Sequence, residues 1–197
     1  MQKRAIKTKA VILKTAIRLF ARDGFHGTRI DNLALTAKVN KQRIYVYYGN
    51  KEKLFQAAML TVFEQANAED ASLQQLTTAD LPRLTELLMR HYLDVHRQHP
   101  TLHRMIGWAN LELSDSPVWM KNVKEAGFVH LRKLYREGQR QRIFSDAVGF
   151  DVYIFTLLAI TYFHAANRIT AAQTISAALF TPAGAEQLVR EVATLLS

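Results

Sequence analysis

The sequence predicts an all-α fold, on three observations. Apolar residues recur at helical spacing through most of the chain. No strictly alternating stretch persists anywhere. Four prolines and eight glycines in 197 residues leave little room for a turn-rich β architecture. The predicted organisation is a small N-terminal module of three helices over 1–55, followed by a larger helical body over 56–197.

Residues 1–7 read as a short, mobile basic arm. From Thr8 to Arg22, Val11, Ile12, Thr15, Ala16, Leu19 and Phe20 form an apolar stripe, and Asp23-Gly24 is expected to stop this first helix. Thr28 with Asp31 reads as an acidic variant of the capping box. It precedes a short helix over Ile30–Lys38 with Ile30, Leu33 and Ala34 on one face. Asn40 is a good N-cap for the next helix, which runs to Tyr48 with Ile44 and Tyr48 inward. Lys41, Gln42, Arg43, Tyr45 and Tyr47 form its opposite side. Gly49-Asn50 ends that helix and caps another, Lys51 to about Glu69. A short helix, a turn and a second helix with a basic and aromatic outer face is the arrangement that enters a DNA major groove.

Beyond it, the polar stretch Ala68–Ala79 reads as a joining loop. Asp80-Leu81-Pro82 marks the start of a helix to about Gln98, and Pro100 opens one to Leu113, broken by Ser114-Asp115-Ser116. Pro117 opens a longer helix, roughly 117–142, with Val123, Phe128, Leu131 and Leu134 inward. Ala147–Ile169 is strongly apolar, and Pro182–Leu196 is a final amphipathic helix.

Charge separates the two regions. Residues 1–55 hold 13 Lys/Arg against three acids, a net +10, whereas 56–197 carry a net −1. A basic module on a neutral body is the footprint of a polyanion binder. There is no cysteine, which excludes disulfides and thiolate chemistry. The N-terminus lacks an apolar core of the secretory kind, and the longest uncharged run, Val152–Asn167, is short for a membrane span. A soluble, cytoplasmic protein with no membrane partner is expected. No nucleophile motif or phosphate loop is present, so catalysis and a cofactor are not expected. Pro100 interrupts His91, His96, His99 and His103, and no metal site is expected there either.

The segment ILKTAIRLFARDGFHGTRIDNLALTAKVNKQRIYVYYGNKEKLFQAAM resembles the DNA-binding domain of the TetR family of transcriptional regulators. The landmarks are Leu19–Thr28, Ile30–Ala34, Val39, Ile44-Tyr45, Tyr47-Tyr48 and the Asn50–Leu54 element. Two positions depart from the pattern. Lys38 stands where glycine is usual, so a positive φ is expected to carry some strain. Gln42 and Arg43 replace small residues. The resemblance implies that Lys41, Gln42 and Arg43 reach base edges, with Arg suited to guanine and Gln to adenine, while Val46 meets a thymine methyl. It assigns Tyr45, Tyr47 and Lys51 to phosphates, joined by Thr28 and Arg29.

The resemblance further implies a C-terminal domain for dimerisation and ligand binding. The helices at Ala147–Ile169 and Pro182–Leu196 would form the homodimer interface. His91, His103, Trp108, Tyr135, Tyr162 and His164, which lie in otherwise apolar helices, are candidates for a small-molecule cavity; taken one at a time, each reads more readily as a core aromatic or a satisfied polar group. Trp119 belongs to the same set. The expected function is a ligand-responsive, sequence-specific regulator, more often a repressor, acting as a homodimer on a palindromic operator in double-stranded DNA. The alternative is a nucleoid-type protein that binds DNA by charge alone.

Overall fold

The computed structural model describes residues 2–112 and 125–197, with backbone alone at 2, 3, 67, 69 and 125–127. Among the described residues, ten α-helices run in the order α1 Gln2–Gly27, α2 Ile30–Ala37, α3 Lys41–Tyr48, α4 Lys51–Glu69, α5 Leu84–Gln98, α6 Pro100–Glu112, α7 Glu125–Arg140, α8 Phe150–Ala166, α9 Arg168–Thr174 and α10 Pro182–Leu195. No strand occurs among the described residues.

The chain forms two compact units. The first holds α1, α2, α3, α4 as far as Ala66, and α6; the second holds Asn67–His99 and everything from α7 onward. These packing units do not follow the expected division at 55/56, since α4 as far as Ala66 and α6 join the N-terminal helices.

In the first unit, Ile12, Ala16, Leu19 and Phe20 of α1 are buried, as their spacing predicts. Phe20, Phe25 and Phe55 pack edge-to-face or stacked, with centroids 5.0–6.4 Å apart. The second unit is built on α5, α7, α8 and α10, whose Leu88, Leu131, Tyr153, Leu157 and Val189 share one core. Tyr135 lies 4.4 Å from Tyr153 between ring centres, and the Tyr153 and Thr85 hydroxyls are hydrogen-bonded at 2.9 Å.

Several expectations are corrected. The basic arm is not separate from the first helix: α1 begins at Gln2, because nothing in QKRAIKTKA breaks a helix. Asp23-Gly24 does break the first helix, Gly24 taking the non-helical φ 75 and ψ −178, but a further helical turn follows the kink as far as Gly27. The joining loop at Ala68–Ala79 is in fact the end of α4 followed by two 3-10 segments, Asp70–Gln75 and Thr78–Arg83. Leu73 and Leu81 draw these segments onto the core. Thr77, rather than Asp80, stands at the start of the second segment, and the Asp80 carboxylate accepts the Thr77 N–H at 2.8 Å. The apolar helix ends at Ala166, and a turn at Asn167 leads into α9. Ser114–Ser116, the Pro117 helix start, Trp119 and Val123 lie outside the described residues.

Candidate nucleic-acid interface

Two caps and one turn hold α3 on the surface of the first unit. α2 buries Ile30, Leu33, Ala34 and Ala37 and ends at Lys38 in the left-handed region, φ 53 and ψ 45. The positive φ expected at the glycine position is therefore present in a residue with a Cβ. The turn is closed by Lys38 N–H to Leu35 O at 3.1 Å and Val39 N–H to Ala34 O at 3.0 Å. Asn40 then caps α3, its side-chain oxygen accepting the Gln42 N–H at 2.8 Å. Gly49 at φ 81 turns the chain, and Asn50 accepts the Lys53 N–H at 2.8 Å to start α4.

Two residues anchor α3. Ile44 is 1% exposed and Tyr48 8%. The Tyr48 hydroxyl donates to Lys9 O at 3.0 Å, and burial pushes its pKa up to about 12. Everything else on the helix faces outward: Lys41, Gln42, Arg43, Tyr45 and Val46 are exposed and Tyr47 is half-buried. Gln42 and Arg43 form no hydrogen bond or ion pair through their side chains to any described residue. Val46 is 74% exposed and offers an apolar tip. Lys41 differs, since its ammonium lies 2.7 Å from the Asp31 carboxylate, which holds its pKa up.

The start of α2 contradicts the predicted capping box. Arg29 occupies the N-cap with no side-chain cap bond, and the Thr28 hydroxyl turns back to Gly24 O at 2.8 Å. Thr28 is 1% exposed, so its side chain braces the α1 kink instead of facing outward. Arg29 is exposed beside it. Lys51 is partly committed as well, its ammonium 4.7 Å above the Phe25 ring and 3.5 Å from His26 O. Burial pulls the Lys51 pKa down, against the opposing pull of Glu52 and Glu112.

Arg4 and Lys7, which the sequence placed in a basic arm and not among the site residues, complete the surface. Because α1 is helical from Gln2, Arg4 and Lys7 line a groove of about 270 Å³ together with Lys38 and Arg43. The signal was the unbroken helical propensity of residues 2–10. Four cations and no carboxylate in one groove suit a phosphate diester.

The kink at Gly24 is held from α6. The Glu112 carboxylate accepts the backbone N–H groups of Phe25 and His26, the latter at 3.3 Å. A Cβ on Gly24 would stand 2.7 Å from Glu112 Oε1 and 2.9 Å from Trp108 Cε3, so both φ and space require glycine there.

The six candidate cavity residues are divided between the units. His103 and Trp108 lie on α6 in the first, while His91, Tyr135, Tyr162 and His164 lie in the second. His91 Nε2 is 2.7 Å from Asp70 Oδ1. The Tyr135 hydroxyl donates to Val148 O at 3.0 Å. Tyr162 packs edge-on to His96 at 5.9 Å. His164 Nε2 sits 3.0 Å from Leu179 O with its ring stacked on Phe180. These partners give His91, Tyr135, Tyr162 and His164 each a structural task.

Comparison with known proteins agrees with the geometry. Residues 12–58 match the description "Bacterial regulatory proteins, tetR family", and residues 83–195 match "Tetracyclin repressor-like, C-terminal domain". The chain is 32% identical over 153 residues to the HTH-type transcriptional repressor SCO4008 of Streptomyces coelicolor, covering 78% of this chain and 76% of that one. It is 30% identical over 170 residues to the HTH-type transcriptional repressor NicS of Pseudomonas putida, covering 84% and 79%. Among solved structures, SCO4942 of Streptomyces coelicolor, described as a candidate transcriptional regulator, aligns with a TM-score of 0.71 at 26% identity over 96% of this chain and 98% of that one. PfmR of Thermus thermophilus shares the fold, with a TM-score of 0.68 at 19% identity over 93% and 92%.

Proposed function

This chain belongs to the tetR family of bacterial regulatory proteins, and on that premise we propose that it is a ligand-responsive repressor binding a palindromic operator as a homodimer. It is a DNA-binding transcriptional regulator and not an enzyme. The names of SCO4008 and NicS, both repressors, favour repression over activation.

One observation carries the operator reading. On α3, Gln42 and Arg43 stand exposed, their side chains without partners among the described residues, at the capped N-terminal end of a helix anchored by Ile44 and Tyr48. These are the side-chain types that pair bidentately with adenine and guanine. Lys41 stands with them at the base edges, its ammonium shared with Asp31, while Arg29, Tyr45, Tyr47 and Lys51 surround them as phosphate contacts and Val46 meets a thymine methyl. Thr28 supports the kink from below. Residues 1–55 thus serve operator binding, and 56–197 serve dimerisation and effector binding.

Dimerisation is favoured by α8. Its inward side is buried, yet Val152, Phe155 and Phe163 remain 61%, 71% and 49% exposed. Together with exposed Ala159 they form a stripe along one side of the helix, and Leu195 of α10 is exposed as well. A second copy would cover the α8 stripe and place two reading helices on half-sites about 34–36 Å apart. An effector then acts by favouring a dimer whose reading helices are wrongly spaced for the groove. Glu112, tying α6 to the α1 kink, is one means of transmission.

The test is a binding competition at fixed salt between a site selected from random DNA and a random duplex. The wild-type protein should prefer its site by at least ~10³. Gln42→Ala with Arg43→Ala should lose roughly 1–3 kcal/mol per base contact and most of that preference, with random-duplex affinity changed far less. A wild-type protein with no preference would identify a nucleoid-type binder. An unchanged preference in the double variant would refute the base-reading assignment.

A further inference from the structure

We propose that the groove between α1 and α6 in the first unit binds an amphipathic organic anion, a carboxylate carried on an aliphatic or aromatic body. The groove measures about 930 Å³ and is separate from the surface of α3, none of whose residues line it. Lys14, Arg18 and Arg22 rise from α1 at i, i+4 and i+8, and Arg104 faces them from α6. Arg22 is already engaged bidentately by Asp23 at 2.6 and 2.7 Å. Lys14, Arg18 and Arg104 have no carboxylate partner among the described residues. Like charges one helical turn apart repel, and an anion seated among them would relieve that repulsion.

The rest of the lining decides what kind of anion fits. Ile17, Ala21 and Pro100 give the groove an apolar portion that an inorganic ion would leave unused. Lys14 to Arg22 spans about 12 Å along the helix axis, long enough to accommodate an extended eight-carbon chain. DNA is the poorer occupant. The α1 cations beside the reading helix are Arg4 and Lys7, which line a different groove with Lys38 and Arg43.

A ligand between α1 and α6 would rest on the same two helices that Glu112 ties together at Phe25 and His26. Binding there is therefore linked to the geometry at the start of α2, whichever DNA the protein recognises.

Octanoate is titrated calorimetrically into the full-length protein, with octanol and inorganic phosphate as separate controls. Octanoate should bind at least tenfold more tightly than either control. Arg18→Gln with Arg104→Gln should weaken it at least tenfold while leaving the melting temperature and DNA affinity unchanged. Because these side chains are exposed the variant should fold; Arg18→Glu alone, expected to weaken octanoate more than Arg18→Gln alone, gives a second reading. The proposal is overturned if octanoate does not bind, if octanol or phosphate binds equally well, or if either variant binds octanoate as the wild type does. It is also overturned if the double variant loses random-duplex affinity with a shallower salt dependence, which would make the row a DNA-phosphate contact.

Discussion

α3 and α8 each present an outer face that the described chain leaves open, and the two faces are chemical opposites. α3 buries only Ile44 and Tyr48 and turns cations, an amide and aromatic rings outward. α8 buries Phe150, Tyr153, Ile154 and Leu157 yet turns more apolar side chains, Val152, Phe155 and Phe163, to the outside. Water solvates the first face well, so what it gains from a partner comes from a dense array of phosphates and matching base edges. Water solvates the second face poorly, so any complementary apolar surface gains from covering it. An uncovered face therefore indicates its partner by what it lacks.

The comparison is broken most decisively at Phe155. If α8 meets a second copy across a twofold axis, Phe155→Glu removes the burial of that ring twice, about 1.5–3 kcal/mol each. Sedimentation velocity should then show monomer at concentrations where the wild type is dimeric, and a variant that stays dimeric would remove α8 from the interface.

A smaller effect is expected at the anchor of α3. Tyr48→Phe deletes the hydrogen bond to Lys9 O and should cost about 0.5–1.5 kcal/mol near neutral pH. The pH dependence has a definite sign. The folded phenol titrates at about 12 against an ordinary value of 10.0, so the fold favours the neutral form. That contribution is complete below pH 10.0 and is lost as pH rises to about 12, because the unfolded tyrosine ionises first. Burial also pushes Tyr92 and Tyr153 of the second unit upward, but their slope is common to both proteins. Denaturant melts should thus show the gap between wild type and Tyr48→Phe closing across that window; a constant gap would contradict the assignment.

The smallest effect concerns the turn. Lys38→Gly relieves a left-handed backbone, worth ~1–2 kcal/mol, but adds the chain entropy of glycine, so stability should rise by only about 0.5 kcal/mol. DNA affinity should move the other way, with the salt slope reduced by about 1 if Lys38 contacts a phosphate. A variant that is both less stable and equally salt-dependent would refute both roles.

Legibility followed the range of the interactions. Asn40, Gly49 and Asn50 act within three or four residues, and their caps were readable as written. The inward turn of Ile44 and Tyr48 followed from spacing alone. Thr28 was misread because its hydroxyl had two local acceptors in competition, and the Gly24 carbonyl behind it prevailed over the cap ahead. The segment after α4 looked like a loop because polar residues outnumber Leu73 and Leu81, yet those two leucines set its path. The cavity candidates needed knowledge of which helices meet. Composition could not reveal that His91 answers Asp70, or that His103 and Trp108 belong with α1 while the others do not.

The grip of Glu112 on the α1 kink also bears on how the molecule comes into being. Phe25 and Glu112 are 87 positions apart, and closing a loop of that length costs on the order of 4 kcal/mol in chain entropy. The reading module must therefore wait for α6 to be synthesised before its kink is fully secured. A fragment cut after α4 would keep every base-reading side chain but lose the carboxylate that fixes the angle at which α1 hands over to α2. The DNA reader is for this reason a poor cassette for transplantation, since part of its foundation is encoded after the helix that appears to end it.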